Sequence, residues 1–146
     1  MTDHVGPEDH RAISALLYRY ARAVDTKDWA LYRSVFTADA VIDYSSAGAI
    51  CGPRDEVADW LETGFQAIPM SMHYITNVEV LEFTGDSARV RAMFYNPLQL
   101  PSMTELSYCG GYYHHELVRT GEGWRSAHLR EENLWFTNPP VGHDIG

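Results

Sequence analysis

Apolar side chains recur at helical spacing near the start of the chain. Ile13, Leu16, Leu17, Tyr20 and Val24 form one stripe, while Arg11, Arg19 and Arg22 fall largely outside it. That pattern predicts an amphipathic helix over residues 7–24. Gly6-Pro7 suits its start, because proline is tolerated where a helix donor has no partner. Asp25-Thr26-Lys27-Asp28 interrupts the stripe, and a short second helix carries Trp29, Leu31, Tyr32, Val35 and Phe36. After Thr37-Ala38-Asp39 the period changes. Residues 40–44 read as a strand, and residues 45–52 as a turn with a short return strand. Pro53-Arg54-Asp55-Glu56 opens a third helix, with acid at the positive end of its dipole. Val57, Trp60, Leu61, Phe65 and Ile68 mark its buried side, and Pro69 ends it.

The second half is strand-rich. Residues 72–83 and 87–96 flank Thr84-Gly85-Asp86, a hairpin signal. A looser stretch over 97–105 leads to a strand over 106–119, and Thr120-Gly121-Glu122-Gly123 turns the chain into a last strand over 124–135. Pro139-Pro140 leads into a polar tail. Helices followed by long antiparallel strands predict an α+β fold. Its strongly bent sheet would be covered on the apolar face by the three N-terminal helices, giving a half-open cone with a pocket between the layers. No internal repeat or low-complexity segment divides the chain, so residues 1–146 read as a single domain.

Length and composition narrow the function. A chain of 146 residues is one domain by the usual prior and needs no disulfide or metal staple. With 45% apolar and 21% charged residues it reads as globular. A net charge of −9 with no local Lys/Arg cluster argues against nucleic acid as a partner. Cys51 and Cys109 are far apart and form no CxxC, which fits a reducing compartment; both read as small buried apolar residues. The N-terminus lacks the basic patch and apolar run of a signal peptide, and no stretch approaches the roughly 18 apolar residues of a membrane span. The expected location is the cytoplasm, with no membrane partner. Nine tyrosines supply apolar walls carrying a hydroxyl, which suits a pocket for a greasy, oxygenated small molecule.

Several kinds of chemistry lack their residues. There is no GxGxxG, GxxxxGK[ST] or GxSxG. His114-His115-Glu116 suggests a metal cluster, but neighbouring side chains on a strand point to opposite faces, and no HExxH exists. Neither a metal nor a cofactor is expected. What remains is acid–base chemistry by side chains. Asp25, just beyond an apolar helix, could cap the second helix, pair with Arg22, or act as a base in an aromatic pocket. His73, early in a strand of core character, could be a hydrogen-bonded core residue or a catalyst. Asn77 shares its face in an unbulged strand, and an inward His beside an inward Asn calls for a polar or wet cavity. Tyr20, five residues before Asp25, converges with it only if the helix ends or bends between them; otherwise it is core.

These residues have a familiar arrangement. Tyr20-Ala21-Arg22-Ala23-Val24-Asp25-Thr26-Lys27-Asp28-Trp29, then Phe36-Thr37-Ala38-Asp39-Ala40-Val41-Ile42-Asp43-Tyr44, resembles the opening of SnoaL-like proteins in the nuclear-transport-factor-2-like superfamily. The resemblance continues through Ser71-Met72-His73, Gly85-Asp86-Ser87-Ala88, Gly110-Gly111-Tyr112-Tyr113 and Gly121-Glu122-Gly123-Trp124-Arg125. Within the superfamily the chain is most similar to the scytalone dehydratase and bile-acid 7α-dehydratase families. That likeness implies an Asp25–His73 acid–base pair, with Tyr20 as a third site residue, and matches Tyr44, Tyr95 and Arg130 to family positions around the substrate. Two departures stand out. No histidine occupies the stretch 108–112, where scytalone dehydratase has its second one, leaving His115 as the candidate stand-in, and Val24 replaces a tyrosine before the aspartate. Scytalone itself is therefore a poor substrate for this chain.

The leading expectation is a cofactor-independent lyase, a dehydratase acting on a hydrophobic polycyclic or hydroxy-carbonyl compound. His73, held in one tautomer by Asp25, would move the proton, and Tyr20 would polarise the carbonyl or assist the leaving oxygen. Tyr44, Trp60, Tyr95 and Tyr113 are candidate walls, with Asn77, His115 and Arg130 as polar contacts. An isomerase or polyketide-type cyclase using the same dyad is the runner-up, and a non-catalytic binding protein of the same cone the third reading. The resemblance also implies a homodimer or homotrimer formed through the outer face of the sheet.

Overall fold

In the computed structural model, which describes residues 4–140, the first apolar stripe becomes α1 (Pro7–Asp25), with Ile13, Leu16, Leu17, Tyr20, Ala23 and Val24 buried. The chain ends, and with them the start of the expected leader-free N-terminus and most of the polar tail, lie outside the described residues. The helix runs unbroken through Asp25, so no bend intervenes after Tyr20. Asp28, not Asp25, caps α2 (Trp29–Ser34), its Oδ1 accepting from the Leu31 amide at 3.0 Å.

Strand β1 (Phe36–Asp43) starts four residues earlier than the pattern predicts, at a residue read as helical. The cause is tertiary: the Ser126 amide donates to the Val35 carbonyl at 2.8 Å, and Phe36 pairs with Ser126. A 3-10 turn (Ser45–Ala47) and β2 (Cys51–Pro53) lead into α3 (Arg54–Phe65). That helix buries Val57, Ala58 and Leu61 and ends before Pro69, while Trp60 is 48% exposed rather than buried. Cys109 is buried as expected, but Cys51 is exposed because β2 is an edge strand.

The remaining strands are β3 (Met70–Ser71), β4 (Tyr74–Phe83), β5 (Ser87–Gln99), β6 (Ser107–Thr120) and β7 (Gly123–Thr137). The strand expected over residues 72–83 thus begins only at Tyr74, and His73 lies in the gap between it and the short β3. Strand order is β2-β1-β7-β6-β5-β3, with β4 also on β5; β1 and β7 run parallel and every other pair is antiparallel. The result is the expected α+β cone, a strongly curled mixed sheet with three helices.

Bulges bend a sheet and reverse which side chains face inward beyond them. Register shifts fall on β7 opposite Gly110/Gly111 and Glu116/Leu117 of β6, and on β4 at Thr76/Glu79 and Val80/Glu82. Strand β5 has no such shift, and Ala88, Val90, Ala92, Phe94, Asn96 and Leu98 all face in and are buried. At Gly111 a Cβ would overlap the Glu132 carbonyl oxygen, and at Gly110 it would meet the Trp135 ring at 2.6 Å. Both glycines therefore let β6 and β7 approach where the sheet bends. We expect Gly111→Ala to cost at least the ~1–3 kcal/mol of an overpacked core, read as a lowered Tm, and to disturb Glu132 and its neighbours on β7.

Candidate active site

A cavity of about 210 Å³ opens between the helices and the inner face of the sheet. Tyr20 and Val24 of α1, Trp60, Leu61 and Phe65 of α3, and Tyr113 of β6 give it a largely apolar wall. Its polar groups are His73, Asn96, Glu131 and the tyrosine hydroxyls.

The end of α1 and the gap after β3 meet at one carboxylate. Asp25 Oδ1 accepts from His73 Nδ1 at 2.6 Å and from Ser71 Oγ at 2.9 Å, and Oδ2 accepts from the His73 backbone amide at 2.7 Å. Ring and backbone of one residue thus grip both oxygens, which fixes the imidazole orientation. The side chains are 7% (His73) and 19% (Asp25) exposed, so these charge-assisted bonds act in a largely dry environment. Asp25 stands behind the ring, and His73 alone of the pair reaches the cavity wall.

Three partners orient the Asn96 amide. Its nitrogen donates to the carbonyls of Pro97 at 3.1 Å and Met72 at 3.2 Å, which places its oxygen 3.2 Å from His73 Nε2. Nδ1 donates to Asp25, and the Asn96 oxygen is placed to accept from Nε2 when that nitrogen carries a proton.

The phenols form a chain. Tyr20 Oη and Tyr44 Oη lie 2.6 Å apart, and Tyr44 Oη and Tyr32 Oη 2.9 Å apart. Three hydroxyls supply three protons for two bonds, leaving one O–H to donate elsewhere. Tyr20 and Tyr44 line the cavity and Tyr32 does not, so a ligand meets that donor at Tyr20 or Tyr44. Burial pushes all three phenols well above their ordinary pKa, so they are neutral donors. Tyr113 packs edge-on to Tyr20 and stacks on Phe94 at 4.4 Å, which holds the cavity floor rigid.

The other expected contacts are distributed differently. Asn77 is exposed at a bulge of β4, with φ 51°, so it does not share the His73 face. Tyr95 points to the outer face, 41% exposed, among Tyr74, Tyr108 and Trp135. Arg130 is exposed, because the β6–β7 bulge shifts the inward parity to Leu129 and Glu131. His115 is buried behind the wall rather than in it. Ser126 Oγ donates to the His128 carbonyl, so it accepts from His115 Nδ1 at 2.9 Å, and the bare Nε2 has no partner. Burial pushes this ring down to about 3.

Asn96, Ser71 and Glu131 were not anticipated. Asn96 was legible, two residues after Phe94 in a strictly alternating strand; Glu131 was legible only by counting from Leu129 across the bulge. His114 and His115 do point to opposite faces, His114 pairing with Glu132 at 2.9 Å. Among the described residues no group of three His, Cys, Asp or Glu side chains is placed to hold a metal ion, and no helix is long and apolar enough to cross a membrane.

Two measurements test this assembly. Asp25→Ala leaves three donors without their acceptor and is expected to cost about 2–5 kcal/mol, with Asp25→Asn intermediate, in urea denaturation. The second is stability against pH. The unfolded chain protonates His115 near 6.5 but the folded chain only near 3, so this contribution is present above 6.5 and lost as pH falls towards 3. Glu131 is raised from 4.5 to about 7, so its contribution is present below 4.5 and lost as pH rises towards 7. Stability from these two groups forms a plateau between them; His115→Gln should flatten the acid limb and Glu131→Gln the neutral one, each by roughly 1.4 kcal/mol per pH unit.

Comparison with known proteins agrees with this architecture. A family model described as a SnoaL-like domain matches residues 7–130. The uncharacterized protein Rv2910c of Mycobacterium tuberculosis is 33% identical over 118 residues, 80% of each chain. A crystal structure of a candidate aromatic ring hydroxylase from Novosphingobium aromaticivorans is 29% identical, with a TM-score of 0.82 over 92% of this chain and 95% of that one. At 18% identity, which speaks to the fold alone, the cone is shared by two further structures. One is a candidate scytalone dehydratase from the same organism, with TM-score 0.80 over 92% of this chain and 93% of that one. The other is hexachlorocyclohexane dehydrochlorinase LinA-type3 from Novosphingobium barchaimii, with TM-score 0.77 over 93% and 92%. With 124 consecutive residues accounted for by one family model, the chain belongs to the SnoaL-like family.

Proposed function

We propose that the protein is a cofactor-independent lyase, a dehydratase that removes water from a hydrophobic hydroxy-carbonyl compound. One observation carries this reading: a carboxylate bonded at 2.6 Å to an imidazole whose far side faces a mostly apolar cavity. A substrate carbonyl seated against Tyr20 and Tyr44 acidifies the neighbouring C–H. His73, with Nε2 unprotonated, takes that proton, and Asp25 stabilises the imidazolium through Nδ1–H. The C–H electron pair becomes the new double bond as the C–O bond breaks. Nε2 returns its proton to the departing hydroxide, which leaves as water, and the ring is restored. Asn96, accepting at Nε2, steadies the ring while it carries the proton, and the phenols stabilise enolate charge.

The cavity favours the smaller members of the substrate class. About 210 Å³ lies below the ~300–1,000 Å³ of pockets for drug-sized ligands, so a one- or two-ring compound fits better than a larger polycycle. Elimination is also the reaction named for the dehydratase and dehydrochlorinase that share the cone. Assembly of two or three copies through the outer sheet face, where Tyr74, Tyr95, Leu134 and Trp135 are exposed, belongs to the same proposal.

Mass spectrometry of a panel of small cyclic hydroxy-ketones tests the reaction. The expected product is lighter by one water, and His73→Ala should lower kcat about 10²–10⁴-fold. A product of unchanged mass would move the assignment to isomerisation or cyclisation; binding without consumption of any candidate would end the case for turnover.

A further inference from the structure

We infer that Glu131 is the cavity's ligand-orienting acid: its neutral carboxyl donates a hydrogen bond to the carbonyl oxygen of a small, uncharged cyclic ketone. The inference shares the cavity with the lyase reading but does not rest on it, since it concerns what is held there and not whether a bond breaks.

Glu131 lines the cavity and is only 9% exposed; its Oε1 is covered and without a partner, and among the described residues Oε2, the oxygen that keeps accessible surface, has no hydrogen bond either. A buried carboxyl with a structural role would have both oxygens satisfied; an acid on the cavity wall with neither oxygen bonded is placed for something that enters, through the accessible Oε2. Its backbone is held firmly, with Ser46 Oγ donating to the Glu131 carbonyl at 2.6 Å and accepting from the Asn133 amide at 2.9 Å. The adjacent Arg130 is on the exposed face, and Glu132 pairs with His114.

The neighbours decide the charge state. Asp43 of β1 acts on Glu131, whose charge in turn raises Tyr20 of α1, Tyr44 after β1, and Cys109 and Tyr113 of β6, while His73 shares the cavity wall. No Lys or Arg lines the cavity. Burial, reinforced by the Asp43 charge, pushes the carboxyl up to about 7. A protonated carboxyl can donate, so the matching ligand group is an acceptor; a ligand ammonium would instead draw out the carboxylate.

Calorimetric titration of the full chain with three molecules of one frame separates these cases. We expect 1-indanone to bind at pH 6 roughly three- to tenfold more tightly than indane, the worth of one hydrogen bond. That advantage should fall as the pH rises from 6 to 8. Glu131→Gln, which keeps a donor, should bind 1-indanone with no pH dependence over that range, separating Glu131 from any titration of His73. Glu131→Leu should narrow the gap between 1-indanone and indane and abolish its pH dependence. The inference is overturned if 1-indanone does not bind at pH 6, if its advantage is unchanged at pH 8, or if Glu131→Gln keeps the wild-type pH profile. It is equally overturned if 2-aminoindane is preferred with affinity rising over the window. Should Glu131→Gln fail to fold, His73→Gln, which removes the imidazole, should keep the wild-type fall in affinity between pH 6 and 8, and its loss there overturns the inference.

Discussion

The Asp25 carboxylate joins parts of the chain that have no other reason to meet. Ser71 Oγ and two nitrogens of His73 converge on it from a segment almost fifty residues away. The sequence between β3 and β4 leaves the sheet ladder at this point, and its polar groups find their partners at the end of a helix instead. One cluster of bonds therefore closes the helix layer onto the sheet, interrupts the strand, and turns the imidazole towards the hollow. Packing of the tyrosines and of α3 builds the rest of the wall around an orientation already settled.

That hollow is electrically quiet. Its phenols are pushed towards neutrality by burial, and His115 behind the wall is a neutral ring with one bare nitrogen. Against that background the Asp25–His73 pair is the concentrated polar feature, and low polarizability around it makes a proton on Nε2 sensitive to whatever enters. A ligand that displaces water from such a wall also strengthens each hydrogen bond it makes there.

Much of this was legible in the amino-acid order. The stripe of α1, the acidic start of α3, the two hairpin turns and the resemblance around Asp25 and His73 lead to the cone and to the residues that meet in it. Side-chain direction was legible where alternation is unbroken, as in β5. It was lost wherever a bulge intervenes, because one extra residue exchanges the faces. Asn77 and Arg130 were both misplaced in this way, at bulges of β4 and β7 with no proline or glycine between the affected positions to mark them. Tyr95 failed for a different reason: family correspondence outweighed the plain alternation that points Asn96 inward. The exposure of Trp60 and Cys51 depended on which helix turn and which strand lie at the edge, information carried only by the assembled fold.

The alternation of Arg130, Glu131 and Glu132 across β7 has an evolutionary side. Gain of one codon upstream of Leu129, within the irregular stretch, would slide this tract by a single position and bring Arg130 to the place of Glu131, whereas loss of one codon would bring Glu132 there. The interior could change from a weak acid to a fixed cation without any amino acid being replaced. Diversification of ligand preference in this architecture is thus as accessible to insertions and deletions at sheet irregularities as it is to point mutation.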